Sequence, residues 1–324
     1  ADWRDFDKSL NTLLSKAGSE QKIAAPFAVL GLNDTPMFHK QCAEIFTREK
    51  HPLNLSLGAI PKHPKKAKIR IGYFSADFKN HPVSILIAEL FELHDRDRFE
   101  IFGFSYGPED GSPLRLRISQ AFDQFIDVRK MTDQQVTELV RELEIDIAVD
   151  LGGFTADSRP DIFAYRAAPI QVSYIGYLGT LGAPYMDYLL ADSVLVPEES
   201  QKFYSEKIAY LPSYQVNDRQ RTISDKVFTR KELGLPEKGF VFCCFNSNYK
   251  IVPATFDSWM RILKSVDGSV LFLYAENEFV QINLIKEAEI RGINRDRLVF
   301  GNRLAFSDTL LVSGMRFVPR YCPL

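Results

Sequence analysis

The feature that most constrains the fold is an alternation, beginning at Ile69, of short apolar segments typical of strands with amphipathic segments typical of helices. Repeated strand–helix–strand units predict a parallel sheet covered by helices, because parallel strands need long crossover connections. The predicted strands are Ile69–Phe74, Phe99–Phe104, Phe122–Val128, Ile145–Leu151, Ile170–Ile175, Tyr188–Ala191 and Ile208–Leu211. The predicted helices between them are Pro82–His94, Pro113–Phe122, Asp133–Leu143 and Arg159–Tyr165.

A second, shorter alternation follows a polar segment and predicts a separate domain. Its strands are Phe240–Phe245, Val270–Tyr274 and Leu298–Phe300, and its helices are Pro253–Leu263 and Phe279–Arg291. Three strands are few for a sheet covered on both faces, so we expect this domain to be partial. The predicted organisation is a helical lead-in over 1–60, a Rossmann-like domain over 66–215, a partial second domain over 235–304 and an unmatched tail over 305–324.

The lead-in is predicted from helical spacing of its apolar residues. Phe38, Cys42, Ile45 and Phe46 form one such face, and the apolar segment Ala25–Leu30 before it is interpreted as a turn.

Composition excludes several classes of protein. The 324 residues carry a formal net charge of -2, so no bulk attraction to nucleic acid or membrane is expected. We interpret the Lys-rich segment Pro61–Lys68 as a linker, although a basic run of this kind also occurs in nucleic-acid-binding proteins. No segment has the length and apolarity of a membrane-spanning helix. The four cysteines form no CxxC pair, which favours a reducing, cytoplasmic location, and no residue cluster has metal-ligand spacing.

The first candidate site is the segment Gly72–Ser84, which leaves a predicted strand and enters a helix at Pro82. The carboxyl ends of parallel strands face the ligand crevice, so this loop places Asp77 and His81 beside it. The N-terminus of the following helix suits a phosphate. A purely structural role, with Asn80 or Asp77 capping the helix, explains the same pattern.

Two further segments place glycines at strand ends. Asp150–Thr155 contains a Gly-Gly pair, which allows a tight turn or close approach of a ligand to the backbone. Ala168–Gly182 carries several glycines with Thr180 among them, and such a loop can bring backbone N–H groups near an anion. Ala168–Gly182 matches neither a P-loop nor a GxGxxG fingerprint, and a tight structural turn explains the glycines of Asp150–Thr155 as well.

The last candidate is Phe245–Pro253, which connects the first strand of the second domain to a helix. Lys250 lies just before that helix, where a cation is ordinarily unfavourable. A bound anion explains a lysine at this position, and a solvated surface lysine explains it equally well.

Taken together, these segments resemble the catalytic region of the O-GlcNAc transferases and the related SPINDLY-type enzymes. Five segments occur in the order and spacing of that family, and the resemblance covers about residues 1–304. The segments are GYFSADFKNHPVS, DLGGFT, APIQVSYIGYLGTLGAPYMDYLLAD, YSEKIAYLP and CFNSNYKIVP. The resemblance implies an α/β fold of the GT-B type, with two Rossmann-like domains facing a cleft.

The resemblance also implies an activity: inverting, metal-independent transfer of N-acetylglucosamine from UDP-GlcNAc to Ser or Thr hydroxyls of proteins. It implies no cofactor, and tetratricopeptide repeats upstream in the full-length protein. Asp77 and His81 then belong to the active-site loop, either of them being the proton acceptor, and Lys250 stabilises the leaving diphosphate. Further substrate-binding positions in the matching segments are Asn80, Pro82, Gly179, Thr180, Asn246 and Tyr249.

Some positions depart from the family pattern. Ser247 stands where animal enzymes carry glutamine, and Phe27 stands where they carry histidine. After Arg303 the family continues into a His-Thr-Thr type segment that holds the donor diphosphate, and residues 304–324 do not match it. We therefore expect a C-terminal truncation with weak activity. Fucosyl transfer from GDP-fucose and a non-catalytic protein-binding remnant are the alternatives.

Overall fold

The computed structural model describes residues 2–18, 24–62, 64, 66–221, 225–226, 228–275 and 277–301. The described chain divides into two compact units. The first unit comprises residues 11–220, and the second comprises residues 2–10 together with the described residues between 221 and 301. The predicted tail over 305–324, and the end of the predicted second domain after residue 301, lie outside the described residues.

The lead-in is helical, as the apolar spacing predicts. Its helices are α1 (Phe6–Gly18), α2 (Pro26–Leu30) and α3 (Pro36–Lys50). The predicted turn over Ala25–Leu30 is wrong, because Pro26 begins a short helix instead. Proline suits this position, since its fixed φ matches the first helical turn and its missing N–H leaves no bond unmade. Helix α3 buries Phe38, Cys42 and Ile45, three residues of its predicted apolar face.

The first unit contains a seven-stranded parallel sheet in the order β3-β2-β1-β4-β5-β6-β7. The strand order reverses between β1 and β4, so this sheet has its topological switch point there. In open α/β sheets the ligand crevice lies at such a point, outside the carboxyl ends of the strands. The strands are β1 (Ile69–Ser75), β2 (Phe99–Ser105), β3 (Gln124–Asp127), β4 (Ile147–Asp150), β5 (Ile170–Ser173), β6 (Tyr188–Ala191) and β7 (Lys207–Tyr210).

Helices cover both faces of this sheet, as the continuous apolar strands require. On one face, buried residues of α4 and α5, such as Phe91 and Ile118, pack with Tyr73 of β1. On the other face, residues of α6 and α7, such as Val140 and Phe163, pack with Phe74. These helices are α4 (Pro82–Glu92), α5 (Pro113–Ala121), α6 (Asp133–Glu142) and α7 (Asp161–Ala164).

The described part of the second unit contains a three-stranded parallel sheet in the order β10-β9-β8. Its elements are β8 (Val241–Cys244), α8 (Pro253–Ser265), β9 (Val270–Tyr274), α9 (Glu278–Ile290) and β10 (Leu298–Gly301). Phe256 of α8 and Leu284 of α9 are fully buried with Leu273 of β9 in its main core. Both units are therefore Rossmann-like α/β structures. Within the described residues, no helix has the length and apolarity needed to cross a membrane.

Candidate active site

The loop after β1 is fixed by hydrogen bonds at Asp77. The backbone N–H of Asp77 donates to Ser75 Oγ at 2.8 Å, and its carbonyl oxygen accepts from the hydroxyl of Ser84 on α4. The Asp77 side chain is 13% exposed to solvent. The carboxylate is thus held at the carboxyl edge of the sheet, next to the switch point, with a small part of its surface open to a ligand.

Two cationic or titratable side chains flank the Asp77 carboxylate. Lys79 Nζ lies 3.6 Å from Oδ1, and His81 Nδ1 lies 3.5 Å from Oδ2. The structure therefore brings the two predicted active-site residues of this loop together. Lys79 joins them, although the sequence analysis did not single it out.

His81 is the N-cap residue of α4. Its Nδ1 accepts a long hydrogen bond, 3.4 Å, from the backbone N–H of Val83. The proposed structural role in which Asn80 or Asp77 caps this helix is therefore wrong, because the imidazole already fills that position. Partial burial lowers the pKa of His81, and the Asp77 carboxylate opposes this shift. With Nδ1 used as an acceptor, the neutral ring carries its proton on Nε2.

The two neighbouring predicted positions serve the loop in different ways. Asn80 is exposed, and its backbone N–H donates to the Asp110 carboxylate at 2.7 Å. Pro82 is the first residue of α4 and is exposed. Their predicted roles in substrate binding remain predictions, whereas the Asn80 bond and the position of Pro82 at the start of α4 show how each contributes to the local conformation.

The loop after β4 contains a buried carboxylate that the sequence analysis missed. Asp150 is 2% exposed and accepts hydrogen bonds from the backbone N–H groups of Gly152 and Gly153, at 2.9 and 3.1 Å. Burial raises the pKa of Asp150 to about 6, against the opposing effect of these two bonds. The sequence signal was the acidic residue two positions before the Gly-Gly pair, in a segment interpreted only through its glycines.

Gly179 and Thr180 lie in the loop after β5, and both residues are buried. A Cβ at Gly179 would meet the Tyr177 hydroxyl at 2.8 Å, so any larger residue would have to displace that buried side chain. Within the described residues, no oxygen accepts the backbone N–H of either residue. Buried N–H groups are rarely left unpaired in proteins, so this pair is available to an anionic ligand.

The Thr180 side chain points into the protein. It is 3% exposed, and its hydroxyl donates to the Glu206 carboxylate at 2.6 Å. The predicted substrate contact of Thr180 is therefore open only to its backbone in this conformation. Glu206, which lies directly before β7, was missed because a single acidic residue at a strand start carries no pattern in the sequence.

The predicted residues of the second unit lie just after β8. Asn248–Lys250 form a 3-10 turn, in which Lys250 is exposed and Tyr249 is 52% exposed. Lys250 Nζ lies 5.9 Å from the centre of the Tyr249 ring. Asn246 is half-buried at the start of this connection. Helix α8 begins beyond the turn without a side-chain cap, so its first N–H groups add to the positive potential at this end of the strand.

Asn248, in the same turn, is a buried residue that sequence reasoning overlooked. It is 5% exposed, and neither its Oδ1 nor its Nδ2 has a hydrogen-bond partner in the described part of the chain. A buried amide without partners is destabilising, so this turn is not optimised for stability alone.

Comparison with known proteins shows which family the sequence matches. The sequence profile described as Glycosyl transferase family 41 matches residues 12–226 and 215–308, which is most of the chain. The chain belongs to glycosyl transferase family 41. This membership confirms the family resemblance of the sequence motifs, and with it the glycosyltransferase class.

Individual relatives support this assignment to family 41. The probable UDP-N-acetylglucosamine–peptide N-acetylglucosaminyltransferase SEC of Arabidopsis thaliana is 37% identical over 283 residues, covering 84% of this chain and 29% of the relative. The corresponding SPINDLY protein of the same plant is 32% identical over 261 residues, covering 79% and 28%. The chain therefore spans less than a third of the length of these two relatives.

A solved structure gives the fold comparison. A mutant O-GlcNAc transferase of Thermobaculum terrenum is similar to this family 41 chain with a TM-score of 0.76 and 30% identity, covering 86% of this chain and 53% of that chain. Together with the two parallel sheets, this likeness confirms the GT-B type of the fold.

Proposed function

We propose that this chain carries catalytic residues of an enzyme that transfers N-acetylglucosamine from UDP-N-acetylglucosamine to Ser or Thr hydroxyls of proteins. Membership of family 41 supports the reaction class. The donor and the peptide acceptor are those named for the Arabidopsis relatives.

The observation that carries the proposal is the pair of buried backbone N–H groups at Gly179 and Thr180, which have no acceptor among the described residues. They lie in a loop at the carboxyl edge of the first sheet, the edge that also bears Asp77 and His81. A diphosphate provides oxygens that such N–H groups bind, and charge-assisted hydrogen bonds of this kind are strong.

The geometry of the loop after β1 favours Asp77 as the proton acceptor and His81 as a hydrogen-bond donor. The Nδ1 atom of His81 already accepts from Val83, so the neutral ring offers Nε2–H as a donor. Asp77 then accepts the proton of the Ser or Thr hydroxyl, directly or through one water, while the oxygen of that hydroxyl attacks the anomeric carbon of the sugar. The new glycosidic bond forms while the bond from that carbon to the phosphate oxygen breaks. The configuration at the anomeric carbon is therefore inverted, and UDP leaves.

Departing UDP gains negative charge, which requires stabilisation at the phosphate. In this proposal Lys250 and backbone N–H groups supply that stabilisation without a metal ion. Lys250 is exposed, and its ammonium forms no ion pair with any residue that the structure describes. Transfer is therefore expected to persist in the presence of a strong chelator such as EDTA.

Two measurements test the proposed function. Labelled UDP-N-acetylglucosamine and labelled GDP-fucose are offered in parallel to the chain with a mixture of protein acceptors, and saturable UDP binding is measured by calorimetry. We expect label only from the UDP sugar and saturable binding of UDP. Label from GDP-fucose alone would identify a fucosyltransferase, and a folded sample without UDP binding would indicate a protein-binding role.

A further inference from the structure

The glycine-rich loop after β5 is held from inside by one buried carboxylate. Glu206 is 4% exposed. Its Oε2 accepts from the Thr180 hydroxyl at 2.6 Å, and its Oε1 accepts from the backbone N–H of Leu181 at 2.7 Å. A single side chain therefore fixes two consecutive residues of the loop.

The Thr180 hydroxyl extends this network. Besides donating to Glu206, its oxygen accepts from the backbone N–H groups of Gly182 and Ser205, both at 3.1 Å. A hydroxyl has one proton to donate and two lone pairs, so all its hydrogen-bonding capacity is used. Serine shares this capacity, whereas valine, which has a similar shape, has none of it.

Helix α3 closes the loop from the other side. The Thr47 hydroxyl donates to the carbonyl oxygen of Leu181 at 2.6 Å. Gly182 has a φ of +59°, and a Cβ at this position would overlap the backbone nitrogen of Glu44. The loop is thus confined between the Glu206 carboxylate and the backbone of α3.

Burying a carboxylate is unfavourable unless its hydrogen bonds compensate, and burial raises the pKa of Glu206. The N–H groups of Gly179 and Thr180 lack an acceptor within the described chain; Thr180 is one of the two residues that Glu206 fixes, and Gly179 directly precedes it. Such N–H groups bind a ligand well only if the loop is rigid before the ligand arrives.

We infer that Glu206 is a positioning residue for donor binding, which fixes the loop so that the N–H groups of Gly179 and Thr180 are arranged for the donor diphosphate. This inference rests on the proposed function. Glu206 itself touches no substrate in this scheme, because its carboxylate is buried and both of its oxygens are bonded to residues of the loop.

The decisive variant is Glu206→Gln. Glutamine keeps the shape but turns one acceptor oxygen into an N–H donor, so it no longer accepts from both Thr180 and Leu181. Thr180→Val removes the same bond from the other partner, and Thr180→Ser preserves it. Glu199→Gln, at an exposed position ahead of the same strand, is the matched control.

We expect Glu206→Gln and Thr180→Val each to raise the donor KM, or the Kd of UDP by calorimetry, by about 10-fold, the effect of one lost buried hydrogen bond. The kcat at saturating donor should change less than the KM. The double variant should lose less than the sum of the two single variants, because both substitutions remove the bond between Thr180 and Glu206. Glu199→Gln should retain the wild-type values, and Thr180→Ser, which keeps the hydroxyl, should raise the KM less than Thr180→Val does.

Amide hydrogen exchange measured by NMR separates the inference from the proposed function. In Glu206→Gln the Leu181 amide should exchange about 10-fold faster, while amides of β1 keep their protection. Unchanged Leu181 exchange, or an unchanged donor KM in a folded variant, would overturn the inference. If Glu206→Gln does not fold, Thr180→Val against Thr180→Ser decides in the same way. Wild-type protein without saturable UDP binding would reject the proposed function, and Leu181 exchange would still decide whether Glu206 holds the loop.

Discussion

The two units present their candidate residues in different states. In the first unit, Asp77, Asp150 and Glu206 are largely buried, and each is held by hydrogen bonds or ion pairs to other residues of this unit. In the second unit, Lys250 is exposed, and the amide of Asn248 is buried without a partner among the described residues. The first unit fixes these three carboxylates in advance, whereas Lys250 and the Asn248 amide are not fixed in this way by any described residue.

This difference teaches where substitutions should act. A group that is buried and bonded contributes to folding, so its removal changes stability and loop geometry first. An exposed cation contributes little to folding, so its removal changes only the step in which its charge is needed. Each of the following predictions tests one side of this comparison.

The largest effect is expected for Lys250→Met. Loss of one charge-stabilising donor should reduce the rate of sugar transfer at saturating donor by about 10²-fold or more. The melting temperature should stay at the wild-type value, because the side chain is exposed. Lys238→Met, at another exposed position of the same unit, is the control. Near-normal turnover would remove Lys250 from the site, and a large fall in melting temperature would break the comparison.

The next effect concerns the pH dependence of stability at Asp150. Its folded pKa of about 6 lies above the unfolded value of 3.8, so its stabilising contribution is complete below 3.8 and is lost as the pH rises through 6. The free energy of unfolding of the wild type, relative to Asp150→Asn, should therefore fall between pH 4 and pH 7. At 1.36 kcal/mol per pKa unit, the fall is at most on the order of 3 kcal/mol.

Urea unfolding across this pH range provides the measurement for Asp150. Asp157→Asn, an exposed substitution in the same loop, should follow the wild-type curve, and asparagine tolerates the positive φ of that position. Parallel pH curves for the wild type and Asp150→Asn would show that the buried carboxylate is not a titrating group in this range.

The smallest effect is expected for Asn248→Leu. Leucine has a similar branched shape, and replacing an unpaired buried amide with an apolar group removes its desolvation penalty, so the free energy of unfolding should rise by about 1 kcal/mol. Thermal and urea unfolding check this result, with UDP affinity measured in parallel. A destabilised variant would mean that the amide has a structural partner, and a loss of UDP affinity would mean that the ligand pairs with it.

Much of the fold follows from the sequence, because apolar periodicity reports burial. The predicted bounds of the strands Tyr188–Ala191 and Val270–Tyr274 are those of β6 and β9. The predicted strand Ile145–Leu151 is longer than β4, since Ile145 and Leu151 are buried beyond the ends of the ladder. Apolar residues mark the core, whereas strand ends are set by pairing with neighbouring strands.

The candidate site was predictable where a motif follows a strand, and unpredictable where a role depends on burial. Asp77 and His81 were found because their loop leaves β1 beside the switch point. Glu206 and Asn248 belong to quoted segments, yet neither was singled out, because an acidic residue or an amide looks the same in a sequence whether it is solvated or enclosed. Only packing decides that difference.

The contact between α3 and Gly182 bears on how the protein can be divided. A fragment starting at β1 would retain every strand and every candidate catalytic side chain of the chain's larger sheet. It would nevertheless lack α3, against which the glycine-rich loop packs, including the Thr47 hydroxyl that donates to the carbonyl oxygen of Leu181. A shortened form of this chain should therefore begin before Pro36, so that it keeps α3 together with the larger sheet.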